Sequence, residues 1–116
     1  MPKQQTSRTG QDLLVAEFLQ AMAADRGLAA NSIAAYEGDL ASCLEGLSKA
    51  GRHFGSCDTD DLRGLLVEWK DGGLAARSVA RRLSALRQMM AWLVEEQVRP
   101  DNPCRWIDNP KQPAAL

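Results

Sequence analysis

The chain lacks most of what marks a β-protein, a membrane protein, a secreted protein or a metalloenzyme. No alternating run of β-branched residues persists, so strands are poorly supported. Recurrent Ala, Leu, Arg, Glu and Gln instead indicate an all-α class. No apolar stretch approaches the ~20 residues of a membrane span, and the polar residues 1–10 do not read as a signal peptide. Cysteines are few: Cys43, Cys57 and Cys104 are odd in number and form no C-x-x-C pair, which reads as free thiols in a reducing cytoplasm. The single histidine, His53, and Cys57 make at most half a zinc site, with no second pair to complete it. No nucleophile–base pair is evident either. A large charge of one sign is also missing: the net charge of −1 excludes a strongly basic nucleic-acid binder on bulk composition.

What remains is a single domain. Its 116 residues suffice for a core without disulfides or metal, and 45% hydrophobic with 25% charged residues is the balance of a soluble globular protein. The most informative feature is an octapeptide frame that occurs twice. Gly27-Leu28-Ala29-Ala30-Asn31-Ser32-Ile33-Ala34 is echoed by Gly73-Leu74-Ala75-Ala76-Arg77-Ser78-Val79-Ala80. In each copy a glycine ends one segment, and small polar residues follow at the start of the next helix, where backbone N–H groups are open and suit an anion.

Periodicity places the elements. Residues 1–10 read as a flexible tail. Leu14, Val15, Phe18, Leu19 and Met22 stripe a first helix over 11–26; Ile33, Tyr36, Leu40, Cys43, Leu44 and Leu47 stripe a second over 30–50. Asn31 or Ser32 is a candidate cap of that second helix, and Tyr36 a core residue with its hydroxyl at the rim. Asp58-Thr59-Asp60-Asp61 supplies a cap and negative charge to a third helix striped by Leu62, Leu65, Leu66 and Trp69. The fourth, over 75–97, is the clearest, with Val79, Leu83, Leu86, Met90 and Leu93 as its seam. Asn102-Pro103 starts a short helix through Ile107, and the Pro-punctuated residues 109–113 read as a linker, as if something normally follows.

Charge is unevenly spread. Residues 12–71 carry a clear acidic excess, whereas Arg77, Arg81, Arg82 and Arg87 follow one another with no acidic residue between them. At ~100° per residue, Arg77, Arg81, Ser84 and Gln88 project opposite the seam, with Arg82 and Arg87 flanking it. Guanidinium groups suit phosphate or a guanine edge, so Arg77, Arg81 and Arg82, with Ser78, Ser84 and Gln88, are the candidate DNA contacts, while Arg87, nearer the seam, ranks lower, with pairing to an acidic neighbour as its alternative. Asn31, Ser32 and Tyr36 are candidates on the second helix. Trp69 belongs to a core stripe, and for Trp92 and Trp106 core or subunit contact is the better reading than a base-stacking platform.

The segment from Leu28 to Leu40, with Asn31, Ser32, Tyr36, Asp39 and Leu40, resembles the "L-x-x-N-T-hydrophobic-x-x-Y-x-x-D-L" segment of tyrosine recombinases (phage integrases and Xer-type recombinases). Residues 76–93, A-R-S-V-A-R-R-L-S-A-L-R-Q-M-M-A-W-L, resemble that family's "S-x-x-R-x-L-S-A-L-R-x-F-x-x-F/Y-L" helix. Asp101-Asn102-Pro103 and Pro110-Lys111-Gln112-Pro113 are similar to its "N-P" turn and "P-K-x-P" exit. Where Xer-type relatives often carry basic residues after the tyrosine, this chain has Glu37-Gly38, which shifts the expected DNA contact toward the fourth helix.

The resemblance implies a four-helix SAM-like orthogonal bundle over residues 11–109, the N-terminal core-binding domain, and a linker starting at 110–116. It implies one half of a clamp around duplex DNA at a recombination half-site, and other recombinase protomers as partners once assembled on DNA. Catalysis would belong to a following domain that cuts and rejoins DNA through a 3′-phosphotyrosine intermediate, without metal or nucleotide cofactor; no strand cleavage is expected of this fragment. A cytoplasmic location without membrane contact goes with that. The alternative is a helical protein-interaction module with no direct DNA contact, which the mild net acidity and Glu37 favour.

Overall fold

Two glycines in the left-handed region, Gly27 (φ 61°) and Gly73 (φ 82°), end helices at corresponding places in the repeated octapeptide. The computed structural model describes residues 7–108. It holds α1 (Arg8–Arg26), α2 (Ala30–Lys49), α3 (Thr59–Asp71), α4 (Ala76–Glu95) and a 3₁₀ turn at Pro103–Trp106. Among the described residues there is no strand. The all-α class and the four-helix SAM-like bundle are borne out.

The octapeptide works as a corner. After Gly27, the Leu28 N–H returns to the Met22 carbonyl at 3.4 Å; after Gly73, the Leu74 N–H returns to Trp69 at 3.0 Å. Both leucines pack on the core, so each corner is also fastened by an apolar contact. The chain then turns extended at Ala29 and Ala75, the N-caps of α2 and α4. Neither alanine has a side chain that can accept a bond, so both helices start uncapped. Here the expectation for Asn31 and Ser32 is corrected. They are the second and third residues of α2, past the capping position, because the cap falls on Ala29.

The other ends follow their local chemistry. Asp58 and Asp61 form a reciprocal capping box on α3, each carboxylate accepting the other's backbone N–H at 2.9 Å. Asn102 Oδ1 accepts the Cys104 N–H at 2.9 Å, with Pro103 in the first turn. That element is 3₁₀ rather than α and ends at Trp106. The tail expectation fails for residues 8–10: Ser7 Oγ accepts the Gly10 N–H at 3.0 Å, which starts α1 three residues early. Residues 1–6 and the expected linker with its "P-K-x-P" lie outside the described residues.

The core gathers the stripes read from the sequence. Phe18, Leu40, Leu44, Leu47, Leu62, Val79, Leu83, Leu86, Met90 and Leu93 are essentially inaccessible. α2 lies between α1 and α4 and touches α3 as well. The loop after α2 folds Phe54 fully into this core. Two buried polar side chains secure it. Gln11 Oε1 accepts the Phe54 N–H at 2.9 Å, and Arg99 donates to the Phe54 and Cys57 carbonyls at 2.8 and 2.9 Å.

Candidate nucleic-acid interface

The four arginines that look alike in the sequence have four different fates. Arg77 is the second residue of α4, exposed, and its side chain has no hydrogen-bond or ion-pair partner among the described residues. A cation there opposes the helix dipole, since the N-terminal end carries partial positive charge and the first turn holds no acidic residue. Arg81 reaches across to α2. Its Nε and Nη2 donate to the two carboxylate oxygens of Asp39 at 2.8 and 3.0 Å. These hydrogen bonds, and then the carboxylate charge, raise the guanidinium pKa above its ordinary value. Its side chain stays half exposed while that of Asp39 is buried.

Arg82 folds inward. Its guanidinium lies over the Trp69 ring, 5.4 Å from the centroid, and its Nε approaches Asp39 at 3.7 Å. That Nε is buried and makes no hydrogen bond. Arg87 donates Nη2 to the Ile107 carbonyl, fastening α4 to the segment after the 3₁₀ turn, and its Nε too is buried without a partner. The expected solvent-facing guanidinium row is therefore corrected in part: Arg81 stays half exposed but is bridged to Asp39, Arg82 is mostly covered, and Arg87 is tied to the Ile107 carbonyl. An acid does stand between the arginines in space, although none does in sequence, because α2 brings Asp39 to α4.

The polar candidates fall into two groups. Tyr36 of α2 meets Ser84 and Gln88 of α4: Gln88 Nε2 donates to the Tyr36 hydroxyl at 2.9 Å and to Ser84 Oγ at 3.2 Å. The Tyr36 and Ser84 hydroxyls lie 3.4 Å apart. All three are half-buried, so Ser84 and Gln88 face α2 rather than projecting away from the bundle as expected. Asn31, Ser32 and Ser78 stand apart, at the starts of their helices, with no side-chain bond among the described residues. The pairs Tyr36–Gln88 and Asp39–Arg81 run in opposite order along α2 and α4. Where they touch, the helices are opposed in direction, and their two open N-termini do not converge.

The remaining chemistry-bearing residues are occupied. His53 Nδ1 accepts the Gly55 N–H at 3.0 Å, and burial, then the Arg99 charge, lowers its pKa. All three cysteines are free and buried; burial raises Cys43 and Cys57 and pushes Cys104 up to about 12, so the thiols are protonated near neutrality. Trp69 lies in the core under Arg82, Trp92 packs on Phe18 at 5.9 Å between centroids, and Trp106 is 67% exposed with Arg105 over its ring at 5.2 Å. Among the described residues, no helix is long and apolar enough to cross a membrane, and no cluster of His, Cys, Asp or Glu could hold a metal ion.

Asp39 is the site residue that sequence reasoning missed. A signal was there: Asp39 falls at a three-residue step from Tyr36, one before Leu40, on the buried stripe of α2. A carboxylate on such a stripe requires a cation, and α4 is the arginine-rich helix. Arg99, in turn, gave no periodic signal, since it lies beyond the end of α4.

Four helices in this order, with an Arg–carboxylate bridge across α2 and α4, make a small all-α bundle of the kind a SAM-like domain adopts. Residues 15–97 match the family described as "Phage integrase, N-terminal SAM-like domain", and the chain belongs to it: it is a tyrosine recombinase N-terminal domain. It is 42% identical over 99 residues to the tyrosine recombinase XerD of Agrobacterium fabrum, covering 85% of this chain and 30% of that protein. Against the XerD of Rhizobium meliloti it is 41% identical over 102 residues, 88% of this chain and 33% of that protein. The XerD of Yersinia pestis is 35% identical over 103 residues, 89% of this chain and 34% of the relative. The chain thus spans about a third of the length of these relatives. No solved structure matches it significantly.

Proposed function

We propose that this domain binds duplex DNA and holds a recombination half-site from one side, in a cytoplasmic tyrosine recombinase whose other domain cuts and rejoins the strands. The observation that carries this reading, beyond kinship, is Arg77. An exposed guanidinium without an acidic partner, set against the helix dipole at an uncapped N-terminus, contributes nothing evident to folding. A phosphate at that point would meet both the guanidinium and the open first-turn amides of α4. Arg81 supports the reading in part: its Nη1 makes no bond among the described residues. Arg87 drops out of the interface, and Tyr36, Ser84 and Gln88 act as the joint that sets α2 against α4. Other protomers would be neighbours on the same DNA.

A second reading, a helical protein-interaction module, is favoured by the same Asp39 that neutralises part of the strip, and by exposed Trp106 and Val67. Titrating the 116-residue protein into labelled duplex DNA at rising salt separates the two. A DNA-gripping domain gives an affinity that falls steeply with salt. Absence of binding at about 50 mM salt overturns the DNA reading in favour of the interaction module.

A further inference from the structure

Asp39 is unusual in its balance. One bidentate arginine is enough to satisfy a buried carboxylate, yet two guanidiniums face this one. Arg81 uses Nε and Nη2 on the two oxygens. Arg82 stands 3.7 Å from the same group, its guanidinium over the Trp69 ring at 5.4 Å from the centroid, and forms no hydrogen bond with it. One positive charge is thus in surplus at a fixed place. The Arg81 guanidinium is held by a fork of hydrogen bonds and that of Arg82 sits over a ring, while Arg81 Nη1 and the Arg82 Nη groups make no hydrogen bond among the described residues.

We infer that Asp39 is a positioning residue for DNA binding: it locks the Arg81 fork, and through its charge Arg82, so that their unused N–H groups meet a backbone phosphate already oriented. The inference rests on the DNA-binding reading above. Its physical content is an opposition of two effects. As a negative charge near a polyanion, Asp39 should weaken binding; as a lock on two rotamer-rich side chains, it should strengthen binding by removing the entropy of ordering them. Positioning predicts that the second effect wins.

Charge-removing variants at two places on α2 decide between them. Asp39→Asn keeps the shape and one acceptor but loses the two-pronged ionic fork. Glu37→Gln removes the same charge from an exposed side chain with no partner among the described residues. Each 116-residue protein is titrated with labelled duplex DNA across a salt series, with helical circular dichroism as the check on folding. The expected result is an Asp39→Asn protein that binds about tenfold more weakly despite its lost negative charge, beside a Glu37→Gln protein that binds as tightly or more tightly. Arg81→Lys covers the case in which Asp39→Asn does not fold. It keeps the charge but not the fork, and is expected to weaken binding with little change in salt slope.

Asp39→Asn binding as well as wild type, or Arg81→Lys doing so, overturns the positioning role while leaving DNA binding intact. A wild-type protein that ignores DNA at low salt overturns the DNA-binding reading itself, and the positioning role falls with it. The Arg81 Nε–H resonance gives a readout without DNA: sharp and slow to exchange with solvent in the wild type, averaged in Asp39→Asn.

Discussion

Arg81 closes a two-pronged bridge onto Asp39 across 42 residues of sequence, joining the middle of α2 to the first turns of α4. The bridge makes the basic face smaller than its arginine count. It also places the remaining charge: what is left for a polyanion is Arg77, part of Arg81, and the surplus of the Arg81–Arg82–Asp39 cluster.

Arg77 should therefore weigh more than its neighbours in DNA binding and less in folding. Arg77→Ala is expected to weaken binding about equally across DNA sequences and to lower the salt slope by roughly one, as loss of one phosphate contact does. The urea midpoint should stay at or slightly above the wild-type value, since a cation opposed to the helix dipole is removed. Unchanged salt slope would remove Arg77 from the interface.

Glycines on α2 should respond with opposite signs. A Cβ added at Gly38 meets nothing within 4 Å, so Gly38→Ala is expected to stabilise by about 0.5–1 kcal/mol through helix propensity. At Gly46 the added Cβ would run into Leu65, a core side chain of α3 at 3% exposure. Gly46→Ala should destabilise by about 1 kcal/mol or more, the cost of overpacking exceeding the propensity gain. Chemical denaturation of both variants checks the pair.

Arg99 should behave as a structural residue. It is 7% exposed and bonds the Phe54 and Cys57 carbonyls and the Asp101 carboxylate. Arg99→Met leaves two carbonyls of a folded-in loop without a donor and is expected to cost about 3 kcal/mol in urea unfolding. DNA affinity, measured where the variant is still folded, should be unaffected.

Acid should destabilise the fold in two stages. Burial and Arg99 hold the folded His53 below its ordinary 6.5, so its unfolded state takes up a proton first. Its contribution is complete above about pH 6.5 and is lost as pH falls through the lower folded value. The Asp61 N–H bond to Asp58 holds that carboxyl below its ordinary 3.8; its contribution is complete above that pH and lost as pH falls further. Denaturation midpoints against pH should show both descents, with His53→Gln removing the first and Asp58→Asn, which keeps a cap, removing the second.

Most of the fold was legible in the sequence because each helix carries its own instructions. The seam of α4, the capping box at Asp58 and Asp61, the Asn102-Pro103 turn and the glycine corners are all decided within a few residues of themselves. The misreadings were local as well. Ser7 starts α1 where a tail was expected, and Ala29 takes the cap that Asn31 or Ser32 was expected to supply. A run of small and polar residues fixes a helix end only to within a residue or two.

The site was legible as a set of residues and illegible as an arrangement. Spacing along α4 names Arg77, Arg81, Ser84 and Gln88 as one strip, and the sequence by itself determined that these groups share a helix with an apolar seam. Which of them remain open to a ligand was decided by tertiary packing, because that depends on what α2 sets against them. Asp39 and Tyr36 lie more than 40 residues upstream, and only the crossing of the two helices brings a buried carboxylate to Arg81 and a hydroxyl to Gln88. Helical periodicity acts over a few residues, whereas a charge is neutralised by whatever lies within a few ångströms, however distant in sequence.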